Sequence, residues 1–251
     1  MGLVETEAIV LRTYKLAEAD KIAICLTQRE GLVRGVARGA RKLKSRFGAG
    51  LEPFSLISLE YFEKEGQELV SIRRAEILES FFNSAGLTDA VAMLDYLVQL
   101  AIDFVPPHQP DENLFRMVRA CIKAAMLEPD LLPAITLYYE LWMLKLAGFL
   151  PDLKTCANCR RNLLDEEDGV YLNFEGLLRC NLCKINGFLP LDERLYKLLR
   201  SARTNGPAQW AHMCFQNESS VRQELTKINR RLIARALEME QRSWVTKLAS
   251  L

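Results

Sequence analysis

The apolar residues of this chain change period near residue 80, and that change limits the fold more than any other feature. Before it, short runs rich in Val, Ile, Thr and Tyr alternate along Glu5–Leu16, Lys21–Thr27, Leu32–Ala37, Leu56–Glu63 and Glu68–Ile72. Arg29-Glu30-Gly31 and Gly66 supply turns between them. Five short strands with such turns are the content of a small closed barrel. Among barrels of that size the OB-fold is the usual binder of single-stranded nucleic acid, while a small sandwich or SH3-like barrel would give the same pattern.

After Ser80 the apolar residues recur at helical spacing. Helices are expected from the Thr88-Asp89 cap to Phe104, stopped by Pro106-Pro107, and over Asp111–Leu127, Pro129–Ala147, Asp192–Ala202 and Ser219–Gln241. The expected architecture is therefore multi-domain, β then α. A five-stranded barrel over residues 1–80 precedes an all-α domain over 81–251, with a cysteine-rich insert at about 152–190 that fits neither period.

That insert holds Cys156-Ala-Asn-Cys159 and Cys180-Asn-Leu-Cys183, with 20 residues between the pairs. Each C-x-x-C turn aims two thiolates at one point, and two such turns supply the tetrahedral sulfur set that zinc prefers. Four thiolates leave no position for water, so the expected role of one zinc ion here is structural. The insert also contains the acidic run Asp165-Glu166-Glu167-Asp168. Cys25 and Cys121, on a strand and a helix, read as small core residues. A redox use of the pairs lacks a βαβ context.

The formal net charge is only +1, yet it is unevenly spread. Residues 1–30, 31–51, 52–193 and 194–251 carry −1, +6, −11 and +7. The +6 block is Arg34, Arg38, Arg41, Lys42, Lys44 and Arg46, with no acid among them and glycines at 35, 39, 48 and 50. Such a segment can neutralise phosphates and release their counterions. Phe47, Tyr14 and Tyr61 are candidate aromatics for stacking on bases, the alternative being a flexible, solvated hairpin with Phe47 in the core. On the last helix Arg222, Lys227, Arg230, Arg231 and Arg235 read equally as a second polyanion or acidic-peptide surface or as a solvated face, with Leu225, Ile228 and Leu232 inward.

Several stretches together resemble the bacterial RecO family of DNA repair proteins. They are Glu18-Ala-Asp20-Lys-Ile, Glu30-Gly31, Ala37-Arg38-Gly39-Ala40-Arg41-Lys42 through Lys44-Ser45-Arg46, and Leu51-Glu52-Pro53-Phe54. Gly148-Phe149-Leu150-Pro151 and the four cysteines resemble the family's zinc-bearing members. Glu52 stands where glutamine is frequent, and Leu43 where proline is; neither change removes a cation. The resemblance implies an N-terminal OB-fold and a C-terminal helical domain with a zinc module. It implies binding to single- and double-stranded DNA and annealing of complementary strands. It also implies contact with single-strand binding protein and cooperation with RecR to load RecA, so that RecA is an indirect partner.

No catalytic set accompanies these features. His108 lies in Pro-Pro-His-Gln-Pro, His212 in a loop-like stretch, and no H-E-x-x-H or P-loop motif occurs. A non-enzymatic protein is expected. The alternatives are a zinc-ribbon transcription or RNA-binding factor, or a zinc-stabilised adaptor. No apolar run reaches membrane-spanning length and no export signal is visible, so a cytoplasmic protein is expected, and the resemblance implies a nucleoid-associated one.

Overall fold

Alternation in the first third of the chain closes into a barrel. The strands are β1 (Gly2–Lys15), β2 (Lys21–Thr27), β3 (Gly31–Ala37), β4 (Ser55–Glu63) and β5 (Val70–Ser80), in the order β1-β2-β3-β5-β4. The computed structural model describes residues 2–64, 66–80, 90–106, 108–150, 152–164, 169–173 and 175–248. Thr88, Asp89, Pro107, Pro151 and the acidic run 165–168 lie outside the described residues.

Closure depends on β1, which pairs with β4 through Gly2–Ile9 and with β2 through Ala8–Lys15, bulging between Val10 and Arg12. A bulge of this kind bends a strand and lets it serve two sides of a barrel. β5 extends to Ser80, eight residues beyond its expected end at Ile72, because two irregularities keep it in register with β4. The last seam is parallel and short: only Gly35 and Val36 of β3 pair with Val70 and Ser71 of β5. Gly35 allows it, since a Cβ there would lie 2.7 Å from Ile72 and 2.8 Å from Val70 side-chain atoms. Ala8, Val10, Cys25, Val33, Ile57, Leu59, Tyr61 and Ile72 fill the interior. This is the expected five-stranded barrel of OB type, closed, with its parallel seam between β3 and β5.

Helices α1 (Ala90–Phe104) and α2 (Glu112–Leu127) follow. Asp111 caps α2, its carboxylate accepting from the Leu114 amide at 3.0 Å. The chain packs as two compact units, Met1–Pro129 and Asp130–Leu251. These compact units divide at Pro129, and the period changes at residue 80. Arg12 on β1 pairs with Asp95 and donates to Gln99 of α1, and Glu79 on β5 pairs with Arg119 and Lys123 of α2. These ties group both helices with the barrel.

The second unit contains α3 (Leu132–Leu146), α4 (Glu193–Ser201), α5 (Pro207–Gln216) and α6 (Ser219–Leu248). Helix α5 corrects the loop expected around His212. Gly206 precedes Pro207 at the first helical position, and Trp210, Ala211 and Cys214 turn one buried face inward. Within the insert, β6 (Val170–Asn173), β7 (Leu178–Cys180) and β8 (Phe188–Leu191) form an antiparallel sheet in the order β7-β6-β8. The helical domain therefore carries a small β module. No helix among the described residues is long and apolar enough to cross a membrane.

Candidate nucleic-acid interface and metal centre

The basic segment lies between β3 and β4, where the chain leaves the barrel and returns. Arg34 and Arg38 occupy alternate positions along β3 and its end, so both face outward, and both are exposed. Arg41, Lys42, Lys44 and Arg46 are exposed on the loop that follows. None of the six forms an ion pair with a carboxylate among the described residues. The half-buried Lys21 and the exposed Arg74 and Lys123 on the same unit do, with Glu52, Glu76 and Glu79. A depression of about 460 Å³ lined by Val36, Arg38 and Gln67–Ser71 adjoins the parallel seam.

The loop is a chain of hydrogen-bonded turns and not a free hairpin. Amides of Ala40, Lys42, Ser45, Gly48, Gly50 and Glu52 each donate to the carbonyl three residues back. The Asp20 carboxylate accepts from the Gly39 amide at 2.8 Å, and Arg41 donates to the Ala17 carbonyl at 2.8 Å. Asp20 and Arg41 thereby tie the β1–β2 turn to the loop, which gives a physical role to two of the quoted motifs. At its far end Gly50 packs against the barrel backbone, where a Cβ would meet the Ala75 carbonyl oxygen at 2.2 Å.

Two expected stacking aromatics are unavailable. Phe47 is 3% exposed and Tyr61 1% exposed; both belong to the barrel core. Phe47 and Leu51 act as plugs that hold the loop to the barrel, with Arg46 over the outer face of the Phe47 ring at 4.9 Å. Tyr14 remains exposed, and Leu43 stands fully in solvent between Lys42 and Lys44. The exposed Leu43 escaped sequence reasoning because an apolar residue among cations normally reads as buried.

The four cysteines converge. Cys156, Cys159, Cys180 and Cys183 place their sulfurs within 4.8 Å of one another, a set that can hold a metal ion. A tetrahedral ion with metal–sulfur bonds of about 2.3 Å sets its sulfurs about 3.8 Å apart; Cys159 and Cys180 are separated by 3.8 Å. The first turn is built by the Arg160 amide donating to the Cys156 carbonyl and by the Thr155–Asn162 bridge, with Arg160 at φ 61°. The second lies where β7 ends in a 3₁₀ turn over Asn181–Cys183. Burial opposes ionisation of Cys156, but amides of Cys159, Cys180 and Asn158 donate toward its sulfur and bring the thiol down to about 6. Cys180 is pushed up to about 11 by burial and by its neighbouring thiols. Cys25, Cys121 and Cys214 are buried elsewhere, and desolvation pushes the Cys25 thiol up to about 12.

The cations of α6 are not equivalent. Arg222 donates to the carbonyls of Cys214, Phe215 and Asn217 and closes the end of α5. Arg235 donates to the Glu175 carbonyl at 2.6 Å. Both are committed within the fold. Leu225 and Leu232 are buried as expected, and Ile228 is half-buried beside a groove.

An OB-type barrel joined to a helical unit with a four-thiol module defines a recognisable class of chain. The family model for recombination protein O, N terminal, matches residues 1–81, and that for recombination protein O, C terminal, matches residues 88–244. The chain belongs to the recombination protein O family, whose role is in DNA repair and recombination. It is 36% identical over 163 residues to the DNA repair protein RecO of Koribacter versatilis (strain Ellin345), covering 65% of this chain and 66% of that one. It is 35% identical over 159 residues to DNA repair protein RecO of Anaeromyxobacter sp. (strain K), covering 63% and 62%. A third relative, DNA repair protein RecO of Dehalococcoides mccartyi, is 28% identical over 203 residues, covering 80% and 78%. The match spans slightly less than two thirds of the length of the first two.

Proposed function

We propose that this chain is a non-enzymatic recombination mediator of the bacterial cytoplasm and nucleoid. It binds single- and double-stranded DNA, anneals complementary strands, and works with RecR and single-strand binding protein to load RecA. The observation that carries the DNA-binding reading is the row Arg34, Arg38, Arg41, Lys42, Lys44 and Arg46, exposed and without ion pairs among the described residues, beside an OB-type barrel. Phosphate contacts position a strand without reading it, which leaves base edges free to pair. Annealing asks for no nucleophile or proton shuttle. The apolar contact expected of Phe47 passes to Leu43 and Tyr14, which reach solvent.

Zinc fits the four-thiol set best. It accepts tetrahedral sulfur coordination and supplies only charge balance and cross-linking there, with Cys156, Cys159, Cys180 and Cys183 as its ligands. The direct test of the whole reading is a strand-annealing assay with complementary oligonucleotides coated by single-strand binding protein, without nucleotide. Annealing well above the uncatalysed rate is expected. Reversing Arg41, Lys42 and Lys44 to Glu should weaken DNA binding and flatten its salt slope by about 0.7–0.9 per lost phosphate contact. Unchanged affinity and slope would remove the loop from the interface. Preference for one sequence, or for RNA, would favour a zinc-ribbon factor instead.

A further inference from the structure

The β6–β8 sheet has two faces, and one of them is built unlike a solvated surface. Register sets Val170 beside Cys180 and Leu191, and these three are buried. On the opposite face the same register sets Tyr171 beside Arg179 and Pro190, and Asn173 beside Phe188. Tyr171, Arg179 and Phe188 are half-buried, and Lys184 and Pro190 are exposed.

Both aromatic rings on this face carry a cation. The Lys184 ammonium lies 4.6 Å from the Tyr171 ring centroid and donates to its hydroxyl at 3.2 Å. The Arg179 guanidinium lies 4.7 Å from the Phe188 centroid. Arg179 also donates to the Cys183 carbonyl at 3.1 Å, which fixes its plane, while its Nε is buried without a hydrogen-bond partner. Neither cation pairs with a carboxylate among the described residues. Tyr171 and Phe188 are diagonal neighbours across β6 and β8, a spacing of about 7–8 Å between backbones that long aromatic side chains bridge.

Screening of a metal–thiolate charge would account for two nearby cations. It does not account for two rings held on the outer face of a three-stranded sheet, each already aligned with a cation. Aromatic rings on a sheet surface, flanked by Lys and Arg, are the equipment that stacks unpaired bases and takes their phosphates.

We propose that this face is a stacking platform for the unpaired bases of one DNA strand, a second strand site separate in sequence from the basic loop. The proposal rests on the DNA-binding reading above and deepens it. Two strands must be held while they pair. The loop takes phosphates and accepts single strand or duplex alike. The platform accepts only single strand, because base faces inside a duplex are already covered by their neighbours.

The test uses the full, metal-loaded chain and the variants Tyr171→Leu and Lys184→Gln, neither of which is a candidate metal ligand. Metal content and circular dichroism report folding; Lys184 is exposed, so Lys184→Gln serves if Tyr171→Leu fails to fold. By fluorescence anisotropy, Tyr171→Leu should bind oligothymidylate about five- to tenfold more weakly and Lys184→Gln more weakly in the same direction. Duplex affinity should not change for either. Equal loss on both DNAs, or no loss on either, overturns the platform. A bromodeoxyuridine-substituted single strand, cross-linked by ultraviolet light, should form adducts in peptides spanning 170–190 as well as 34–46. Adducts confined to 34–46 overturn the platform and leave the DNA-binding reading standing. Absence of any DNA binding by the unaltered chain overturns both.

Discussion

The basic loop after β3 and the thiol module between α3 and α4 are both irregular, glycine-punctuated segments, and they are held in place by different physics. The loop borrows its order from the barrel. Phe47 and Leu51 enter the barrel core, and Asp20 ties its near end. The module has little core of its own. Its strands are three and four residues long, and its buried apolar residues are few, chiefly Leu153, Leu163, Val170, Leu178 and Leu191. Tyr196 of α4 anchors it by donating to the Leu153 carbonyl at 2.6 Å. A short sheet of this kind does not fold on apolar burial alone. Apart from Arg41, whose guanidinium holds the β1–β2 turn, the loop's cations are therefore free to serve a ligand, while the module's cysteines converge within its fold.

The largest effect expected from this contrast is removal of the metal. Structural zinc is worth about 10–16 kcal/mol of apparent folding free energy in small zinc-finger peptides, because binding and folding are one equilibrium. Chelation, or Cys156→Ser, should abolish hydrogen-exchange protection of amides in 153–191 while the barrel and basic loop keep theirs. Cys156→Ser should also lower bound metal from about one per chain to near zero. Protection that persists in the metal-free chain would break the comparison, since the module would then support itself.

Phe47→Ala comes next. Truncating a fully buried Phe costs about 3–5 kcal/mol through lost transfer energy and the cavity left behind. Denaturant unfolding of the barrel should show a loss of that size, with metal content unchanged. Oligothymidylate binding should weaken as well, because the plug that fixes Arg46 and its neighbours is gone. A loss below about 1 kcal/mol would mean that the loop is held by its turns and not by the core.

What the sequence made legible follows the same physical division. Strand content was readable because short runs rich in Val, Ile, Thr and Tyr are cut by turn residues such as Gly31 and Gly66. The convergence of the four thiols was readable because C-x-x-C spacing is local. The module's strands were not, since Val170–Asn173 and Leu178–Cys180 are too short to display a period. Helix α5 is ten residues long, too short for a clear helical period, so Gly206-Pro207 and the Trp210–Cys214 spacing are its local signals. The grouping of α1 and α2 with the barrel rests on Arg12–Asp95 and on Glu79 with Arg119 and Lys123, pairs separated by tens of residues that no local pattern reveals. Phe47 was ambiguous for a related reason. An aromatic among cations suits a base stack or a core plug equally, and only the closed barrel decides.

The smallest expected effect is also the sharpest discriminator, because it applies one perturbation to both regions. Gly39 in the loop has φ 76° and Gly187 in the module has φ 89°. A Cβ at Gly39 meets only the Lys42 side chain at 3.6 Å, and one at Gly187 meets nothing within 4 Å. Alanine at either position therefore suffers backbone strain alone, about 1 kcal/mol. In the loop that strain is borne by the barrel's own stability, so Gly39→Ala should lower the unfolding midpoint and leave metal affinity untouched. In the module the same strain opposes the fold that a bound metal would complete, so Gly187→Ala should weaken metal binding about fivefold and leave the barrel midpoint where it was. Competition with a metal-binding dye and denaturant titration read the two quantities independently. If Gly187→Ala moves the barrel midpoint and not the metal affinity, the module draws its order from packing, as the loop does.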